Sequence, residues 1–205
     1  MSSANTPSPE DEELEVAQAR PEHAEALLAL FERSRHPCFC RYWHHEGDAN
    51  SWLEQLFQRE AENRAQMVAA LSSGSAQMSG LVAIAGERVV GWMKLAPAPS
   101  LPKLYAQRSV RGLRCFDEPH RDAVFTVACF LVEPEWRELG IARALLAEGI
   151  LLAQERGAVA IEAFPCTTPD IPPEQLLAGP PSLFLEAGFQ EIARVANYPV
   201  LRLTL

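Results

Sequence analysis

The sequence predicts a mixed α/β fold built around one strand–helix–strand crossover. Apolar runs rich in β-branched residues alternate with longer helical segments, in the predicted order β-α-α-β-β-β-α-β-α-β. The segment LVAIAGERVVGWMKLAP (81–97) places two such runs on either side of a short turn, which predicts a hairpin. The strand 125–132, the helix 140–155 and the strand 158–165 form a β-α-β unit. Its two strands should be parallel and joined by a right-handed crossover.

Turn and cap residues define the N-terminal elements. A strand is predicted over 13–19, and Pro21 suits the first turn of a helix that ends near Arg35. The polar and aromatic loop HPCFCRYWHHEGDAN (36–50) follows, and a second helix is predicted over 52–71.

The C-terminal half contains two irregular segments. Residues 97–124 are rich in proline and glycine, and their length favours a functional loop. Apolar residues surround the helix 140–155, which predicts that more than one of its sides is covered. A proline-rich loop over 166–181 leads to a short helix over 182–189, and an alternating strand over 198–205 closes the chain.

Composition excludes several classes of protein. A chain of 205 residues, 48% hydrophobic and 22% charged, fits one globular domain, predicted over 13–205 after a disordered acidic tail over 1–12. No apolar run approaches the ~20 residues that span a bilayer, and the N-terminus lacks the apolar centre of a secretory signal. The net charge of −9 argues against nucleic-acid binding and suits a cationic acceptor. The five cysteines have no regular spacing, so we expect reduced thiols in the cytoplasm.

The turn after the strand 125–132 has the features of an anion site. It has the pattern R-x-x-G-x-A and comprises Arg137, Glu138, Leu139, Gly140, Ile141 and Ala142. The first N–H groups of a helix lack intrahelical partners and carry the positive end of its dipole. A glycine there allows an anion to approach the backbone, and Arg137 and Arg143 add charge. The turn therefore predicts a pyrophosphate site. The alternative is an ordinary turn in which Gly140 only permits tight packing.

Three stretches of the sequence resemble the GNAT superfamily of acyl-CoA-dependent N-acyltransferases. They are GERVVGWMKLAP, ACFLVEPEWRELGIARALLAEGILLAQERGAVAIEAFP and SLFLEAGFQEIARV. They match the central hairpin of that family, its [QR]-x-x-G-x-[GA] acyl-CoA motif with the preceding strand, and its closing helix. The resemblance covers most of residues 80–205. The stretch from Cys38 to Trp43, C-x-C-x-x-W, is similar to one found in some GNAT-like proteins.

The resemblance implies a mostly antiparallel sheet flanked by helices, with a splayed pair of parallel strands that forms the acyl-CoA cleft. The pantetheine arm would pair with the backbone of Phe130, Leu131 and Val132, and the pyrophosphate would lie on the amides of 137–142. The expected cosubstrate is acetyl-CoA or another acyl-CoA, with no metal. The expected acceptor is an amine of a small molecule or peptide, with no nucleic-acid or membrane partner. A homodimer is compatible with the sequence.

Glu162 is the predicted catalytic base, because it is a lone charge in the apolar strand AVAIEAFP. Burial makes a carboxylate a stronger base, and an acceptor amine must lose a proton. The alternatives are a charge on an exposed face or one paired with an arginine. The tyrosine acid usual in the resembled family falls at Phe184, so a tyrosine acid at that place is excluded. Tyr42, Tyr105, Ser182 or water could serve instead.

The loop HPCFCRYWHH combines apolar surface with polar tips, which is typical of a small-molecule pocket. We expect Cys40, Tyr42 and Trp43 to contact the acceptor. The alternatives are a surface loop anchored by its aromatic residues, and a zinc site, against which the C-x-C spacing of Cys38 and Cys40 counts. Cys129 is a candidate acyl-carrying nucleophile, although a buried structural thiol is favoured there.

The sequence thus predicts a CoA-dependent N-acyltransferase. Two alternatives stay open: an acyl-CoA-binding sensor or partner module on the same fold, and a thiol or metal protein built on the C-x-C loop.

Overall fold

The computed structural model describes residues 12–117, 120–169 and 177–205. Seven strands form one sheet in the order β1-β2-β3-β4-β5-β7-β6. They are β1 (Leu14–Gln18), β2 (Gly80–Ala85), β3 (Arg88–Pro97), β4 (Val124–Val132), β5 (Ala160–Ala163), β6 (Gln190–Val195) and β7 (Tyr198–Thr204). The helices are α1 (Ala24–Arg33), α2 (Ala49–Gln58), α3 (Glu60–Ser72), α4 (Pro102–Tyr105), α5 (Ile141–Glu155) and α6 (Pro181–Glu186). Residues 1–11 of the predicted acidic tail lie outside the described part of the chain.

Each face of the sheet is covered by its own apolar core. On one face, α5 packs Leu145 against Met93 and Ile161. On the other face, α1 and α3 pack against Trp92 and Val82. Alternate residues of one strand face opposite sides of a sheet, so neighbours such as Trp92 and Met93 belong to different cores.

The parallel pair is short and opens partway along β4. Only Val124–Val127 of β4 pairs with β5, although β4 continues to Val132. All other neighbouring strands in this sheet are antiparallel. The predicted mixed sheet with one splayed parallel pair is therefore confirmed.

A β-bulge lies where the two strands separate. Across from β3, Lys94 is opposite Cys129 and Leu95 is opposite Val127, so Ala128 is an extra residue on β4. A bulge bends its strand and turns the following side chains to new directions. The bulge at Ala128 thus marks the point from which β4 runs on without β5.

Three predictions about single elements were wrong. The predicted helix 52–71 is two helices, because Arg59 leaves the helical conformation (φ −129°, ψ 36°). The strand β6 was not predicted, since its residues are mostly exposed and do not alternate. Helix α5 buries one stripe and leaves Leu151 51% exposed, so it is not covered on several sides.

In the described ranges, no helix is both long enough and apolar enough to cross a bilayer.

Candidate active site

A first cavity of about 370 Å³ lies at the start of α5. Its walls are the end of β4, the following turn and the start of α6. Eight predicted cosubstrate residues line it: Phe130, Leu131, Val132, Arg137, Glu138, Gly140, Ala142 and Arg143. Two others do not: Leu139 lies on the surface, and Ile141 is buried in the core beneath the helix.

Gly140 is the N-cap of α5 and has a left-handed backbone (φ 82°, ψ 3°). No side chain caps this helix end. No heavy atom lies within 4 Å of the place where a Cβ of residue 140 would sit. The alternative in which Gly140 permits tight packing is therefore wrong: the turn requires glycine for its backbone angle, and the space above it is open.

Both predicted arginines lie beside this turn. The Arg137 Nε donates to the Val132 carbonyl oxygen at 3.3 Å. The Arg143 guanidinium lies 2.6 Å from Glu186, with the two side chains 71% and 58% exposed. An ion pair so exposed contributes little to stability, so Arg143 is available to an anion.

The exposed edge of β4 already has a backbone partner at Phe130. The Phe130 N–H donates to the Leu177 carbonyl oxygen at 2.5 Å, and the chain continues past Gly179, which lies against the Phe130 ring. The same Phe130 amide is the group predicted to pair with a pantetheine arm. A ligand on this edge must therefore displace the segment at Leu177 or pair with other residues.

A second cavity, of about 670 Å³, lies on the other side of the splay. The predicted acceptor residues Cys40, Tyr42 and Trp43 all line it, together with Ala128 and Cys129 of β4. Leu177 lines both cavities. The two cavities therefore adjoin along β4.

Aromatic side chains of the loop form one wall of the second cavity. The Trp43 Nε1–H donates to the carbonyl oxygen of the bulge residue Ala128 at 3.2 Å. The Tyr42 ring packs edge-on against Trp43 and Trp52, with ring centres 4.7 and 5.4 Å apart. The Lys103 Nζ lies 4.9 Å from the centre of the Tyr42 ring. The loop is thus fixed to the bulge and is not a loose surface segment.

Glu162 is fully buried and lies outside both cavities. Arg121 holds both of its oxygens, at 2.6 and 2.9 Å, and the Tyr105 hydroxyl donates to one of them at 2.6 Å. This geometry matches the alternative of a carboxylate paired with an arginine. The role of Glu162 as a base stays a prediction, and it would require this network to open.

The candidate acids occupy different places. Tyr105 is partly buried beside Glu162. The pKa of its hydroxyl is raised first by desolvation and then by the charge of Glu162. Ser182 lines the first cavity and Tyr42 the second. Phe184 is fully buried. The described residues contain no group of three or more His, Cys, Asp or Glu side chains arranged to hold a metal ion.

The splayed parallel pair β4 and β5, joined by α5, defines the class of this mixed α/β fold, and the sequence assigns its family. The sequence model of the Acetyltransferase (GNAT) family matches residues 28–172. The chain belongs to this family. No functionally curated protein sequence matches it.

Solved structures share the fold at low sequence identity. The PaiA N-acetyltransferase of Thermoplasma acidophilum, in complex with coenzyme A, is 12% identical with a TM-score of 0.54, over 94% of this chain and 99% of that one. A GNAT family acetyltransferase of Brucella melitensis, in complex with acetyl-CoA, is 16% identical with a TM-score of 0.52, over 95% and 89%. The GNAT domain of PAT from S. lividans is 18% identical with a TM-score of 0.56, over 93% and 89%.

Proposed function

We propose that this chain is a CoA-dependent N-acyltransferase, which moves an acetyl or another short acyl group from acyl-CoA to an amine of a small molecule or peptide. The observation that carries the proposal is the pair of adjoining cavities along the splayed strand β4. Two substrates that react with each other require two sites that meet at one point.

The first cavity is the proposed site of the cosubstrate. The amides of the first turn of α5 have no side-chain cap and face open space at Gly140, which suits a pyrophosphate. Arg137 and Arg143 would contribute positive charge. Acyl-CoA supplies the activated acyl group, and two solved members of the fold hold CoA or acetyl-CoA.

The second cavity is the proposed acceptor site. It has apolar and aromatic walls with a few polar tips, which is the usual character of a small-molecule site. We propose that Cys40, Tyr42 and Trp43 contact the acceptor there. Trp43 also fixes the position of the bulge, where the acyl group would meet the amine. We propose a cytoplasmic location, in keeping with the five cysteines, all of which are free thiols in the structure.

A turnover assay tests this function. Acetyl-CoA is mixed with the protein and a panel of amines, amino acids and peptides, and the release of free CoA is measured together with the acetylated product. We expect product with at least one acceptor. Tight binding of acetyl-CoA in calorimetry without turnover over the whole panel would instead favour an acyl-CoA sensor. The replacement of the usual tyrosine acid by the buried Phe184 is the observation that favours a sensor.

A further inference from the structure

Three buried thiols and one buried lysine lie together beside the second cavity. The thiols are Cys38, Cys40 and Cys129, all of which line the cavity, and all three are at most 8% exposed. Lys94 is fully buried and pairs with Cys129 across β3 and β4. Neither Lys94 nor the closeness of the three thiols follows from the spacing of the C-x-C motif.

The backbone at Cys40 is strained. Phe39 and Cys40 are consecutive non-glycine residues with left-handed angles, φ 43° and φ 57°. The Cys40 N–H donates to the Cys38 sulfur at 3.3 Å within this turn. Such conformations cost free energy and persist only where the surroundings determine them, which is frequent at functional sites. The strained turn directs the Cys40 side chain into the cluster.

Several donors are directed at the Cys40 sulfur. The Trp92 Nε1–H, fully buried, donates to it at 3.4 Å. The Cys129 thiol donates to the Phe130 carbonyl oxygen at 3.6 Å and also lies within hydrogen-bonding reach of the Cys40 sulfur. An indole N–H and a thiol are better satisfied by a thiolate than by a second thiol.

Lys94 supplies the positive charge that a buried thiolate requires. Its Nζ donates to the Gln77 carbonyl oxygen, and no carboxylate in the described ranges forms an ion pair with it. The pKa of Lys94 is lowered, first by burial and also by Arg41, while the nearby Cys40 and Cys129 sulfurs oppose this shift. A buried ammonium is costly without a counter-charge, so Lys94 and a Cys40 thiolate stabilise each other.

The surroundings of Cys40 favour the thiolate. The titratable groups around it are two thiols and three basic side chains: Cys38, Cys129, Arg41, His44 and Lys94. The pKa of Cys40 is lowered, first by the Cys129 hydrogen bond and then, against burial, by Lys94 and Trp92. The pKa of His44 is lowered by burial to about 3, so its imidazole is neutral near pH 7. The pKa of Cys38 is raised by burial. Cys40 is thus the nucleophile of the cluster.

We propose that Cys40 accepts the acyl group from acyl-CoA as a thioester and then passes it to the amine. This inference rests on the proposed function. Leu177 lines both cavities, and Cys40 and Cys129 both line the acceptor cavity, so the cluster borders the cavity that adjoins the cosubstrate site. An acyl group that passes from the first cavity into the second would enter the space that Cys40 lines.

The two steps balance without an oxidant or reductant. In the first, the Cys40 thiolate attacks the carbonyl carbon of the thioester, a new C–S bond forms, and CoA leaves as a thiolate. In the second, the neutral amine attacks the Cys40 thioester, a C–N bond forms and the C–S bond breaks. The Cys40 thiolate is restored and the proton of the amine passes to solvent.

Mass spectrometry of the intact protein tests the proposal. The protein is mixed with acetyl-CoA in the absence of an amine, quenched in acid and mapped by peptide digestion. We expect one acetyl group, on Cys40, which later addition of a good acceptor removes. Cys40→Ala should carry no such group and should lose at least ~10² of amine turnover. Cys115→Ala is the matched control, because Cys115 is a free thiol that lines neither cavity and should change neither result.

Two outcomes overturn the proposal, and they differ in what they say of the enzyme. If the protein acetylates amines but Cys40 stays free of acetyl and Cys40→Ala keeps its turnover, transfer is direct and only this inference fails. If the wild-type protein neither binds acetyl-CoA nor acetylates any amine, the proposed function fails with it.

A second measurement does not depend on the folding of a Cys40 variant. Iodoacetamide labelling of the wild-type protein should modify Cys40 at pH values below the range of an ordinary thiol. Lys94→Met should move this profile to higher pH, since the lysine charge lowers the pKa of Cys40. The control Lys103→Met changes a lysine outside the cluster and should leave the profile in place. A Cys40 that stays unlabelled up to the ordinary thiol range contradicts the proposal.

Discussion

The two cavities that adjoin along β4 are built in opposite ways. The first is built mainly from backbone: the glycine at the N-terminus of α5, the helix amides that no side chain caps, and the edge of β4. The second uses side chains brought from seven segments of the chain, among them Cys40, Tyr42, Trp52 and Cys129. We therefore expect ligand binding in the first cavity to be weakened by larger side chains, and ligand binding in the second cavity to be weakened by truncated side chains.

This difference fits the two proposed ligands. The pyrophosphate and pantetheine of acyl-CoA are the same for every acyl group, so a backbone site that ignores side-chain identity is sufficient. An acceptor amine differs from one acyltransferase to another and requires side chains for its recognition. On this view, the second cavity carries the specificity of this chain.

The largest effect is expected for Glu162, and it tests whether this residue stabilises the fold or takes part in catalysis. Glu162→Gln removes the charge that faces Arg121 in a buried network, and breaking such a pair typically costs about 3–5 kcal/mol. We expect a large fall in the free energy of unfolding by denaturant titration. The matched control is Glu186→Gln, which breaks the exposed pair with Arg143 and should cost less than about 1 kcal/mol.

The same Glu162→Gln variant tests the predicted base. Loss of a general base lowers kcat by ~10² or more while the affinity for acetyl-CoA stays unchanged. If the variant is folded and keeps its wild-type kcat, Glu162 has a structural role, and catalysis at the two cavities does not require it.

A smaller effect is expected at the wall of the second cavity. Trp43→Phe keeps an aromatic side chain but removes the pyrrole half of the indole, and with it the hydrogen bond to the Ala128 carbonyl oxygen, worth about 1 kcal/mol. We expect kcat/KM for the acceptor to fall about fivefold, with the affinity for acetyl-CoA unchanged. Trp52→Phe is the matched comparison, because it truncates the other tryptophan that packs against Tyr42 and measures the effect of lost ring volume without the bond to Ala128. Equal kinetics for wild type and both variants would remove the Trp43 hydrogen bond from the acceptor site.

The sequence could predict one wall of the first cavity because the residues of that wall, from the end of β4 to the start of α5, are nearly contiguous. The turn from Arg137 to Ala142 contains the glycine, the arginine and the helix start in six positions. The sequence could not predict the partners of Cys40. Trp92 and Lys94 lie in strand β3 and meet the loop that carries Cys40 only when the sheet forms. In the same way, the carboxylate of Glu162 is a lone charge in the strand, and its partner Arg121 comes from the irregular segment 97–124.

Secondary structure was predictable where periodicity is strong. The hairpin of β2 and β3 and the β4-α5-β5 unit follow the predicted order. Strand β6 lacks the alternation that marks a half-buried strand, because it lies at the edge of the sheet beside β7. The break between α2 and α3 depends on a tertiary contact, in which the buried Asn63 accepts from Gln55 and donates to the Pro37 carbonyl oxygen.

The most direct test of the account is calorimetry of CoA binding to two glycine variants. Gly140 is the N-cap of α5, and Gly157 follows the C-cap residue Arg156 at its other end. Both glycines have left-handed angles (φ 82° and 73°), and neither has a heavy atom within 4 Å of a Cβ position. Asparagine tolerates this conformation, so Gly140→Asn and Gly157→Asn should both fold. We expect Gly140→Asn to weaken CoA binding at least about tenfold, or ~1.4 kcal/mol, because the asparagine side chain fills the first cavity. Gly157→Asn should bind like the wild type. Wild-type affinity in both variants would contradict the account, since the start of α5 would then not hold the coenzyme.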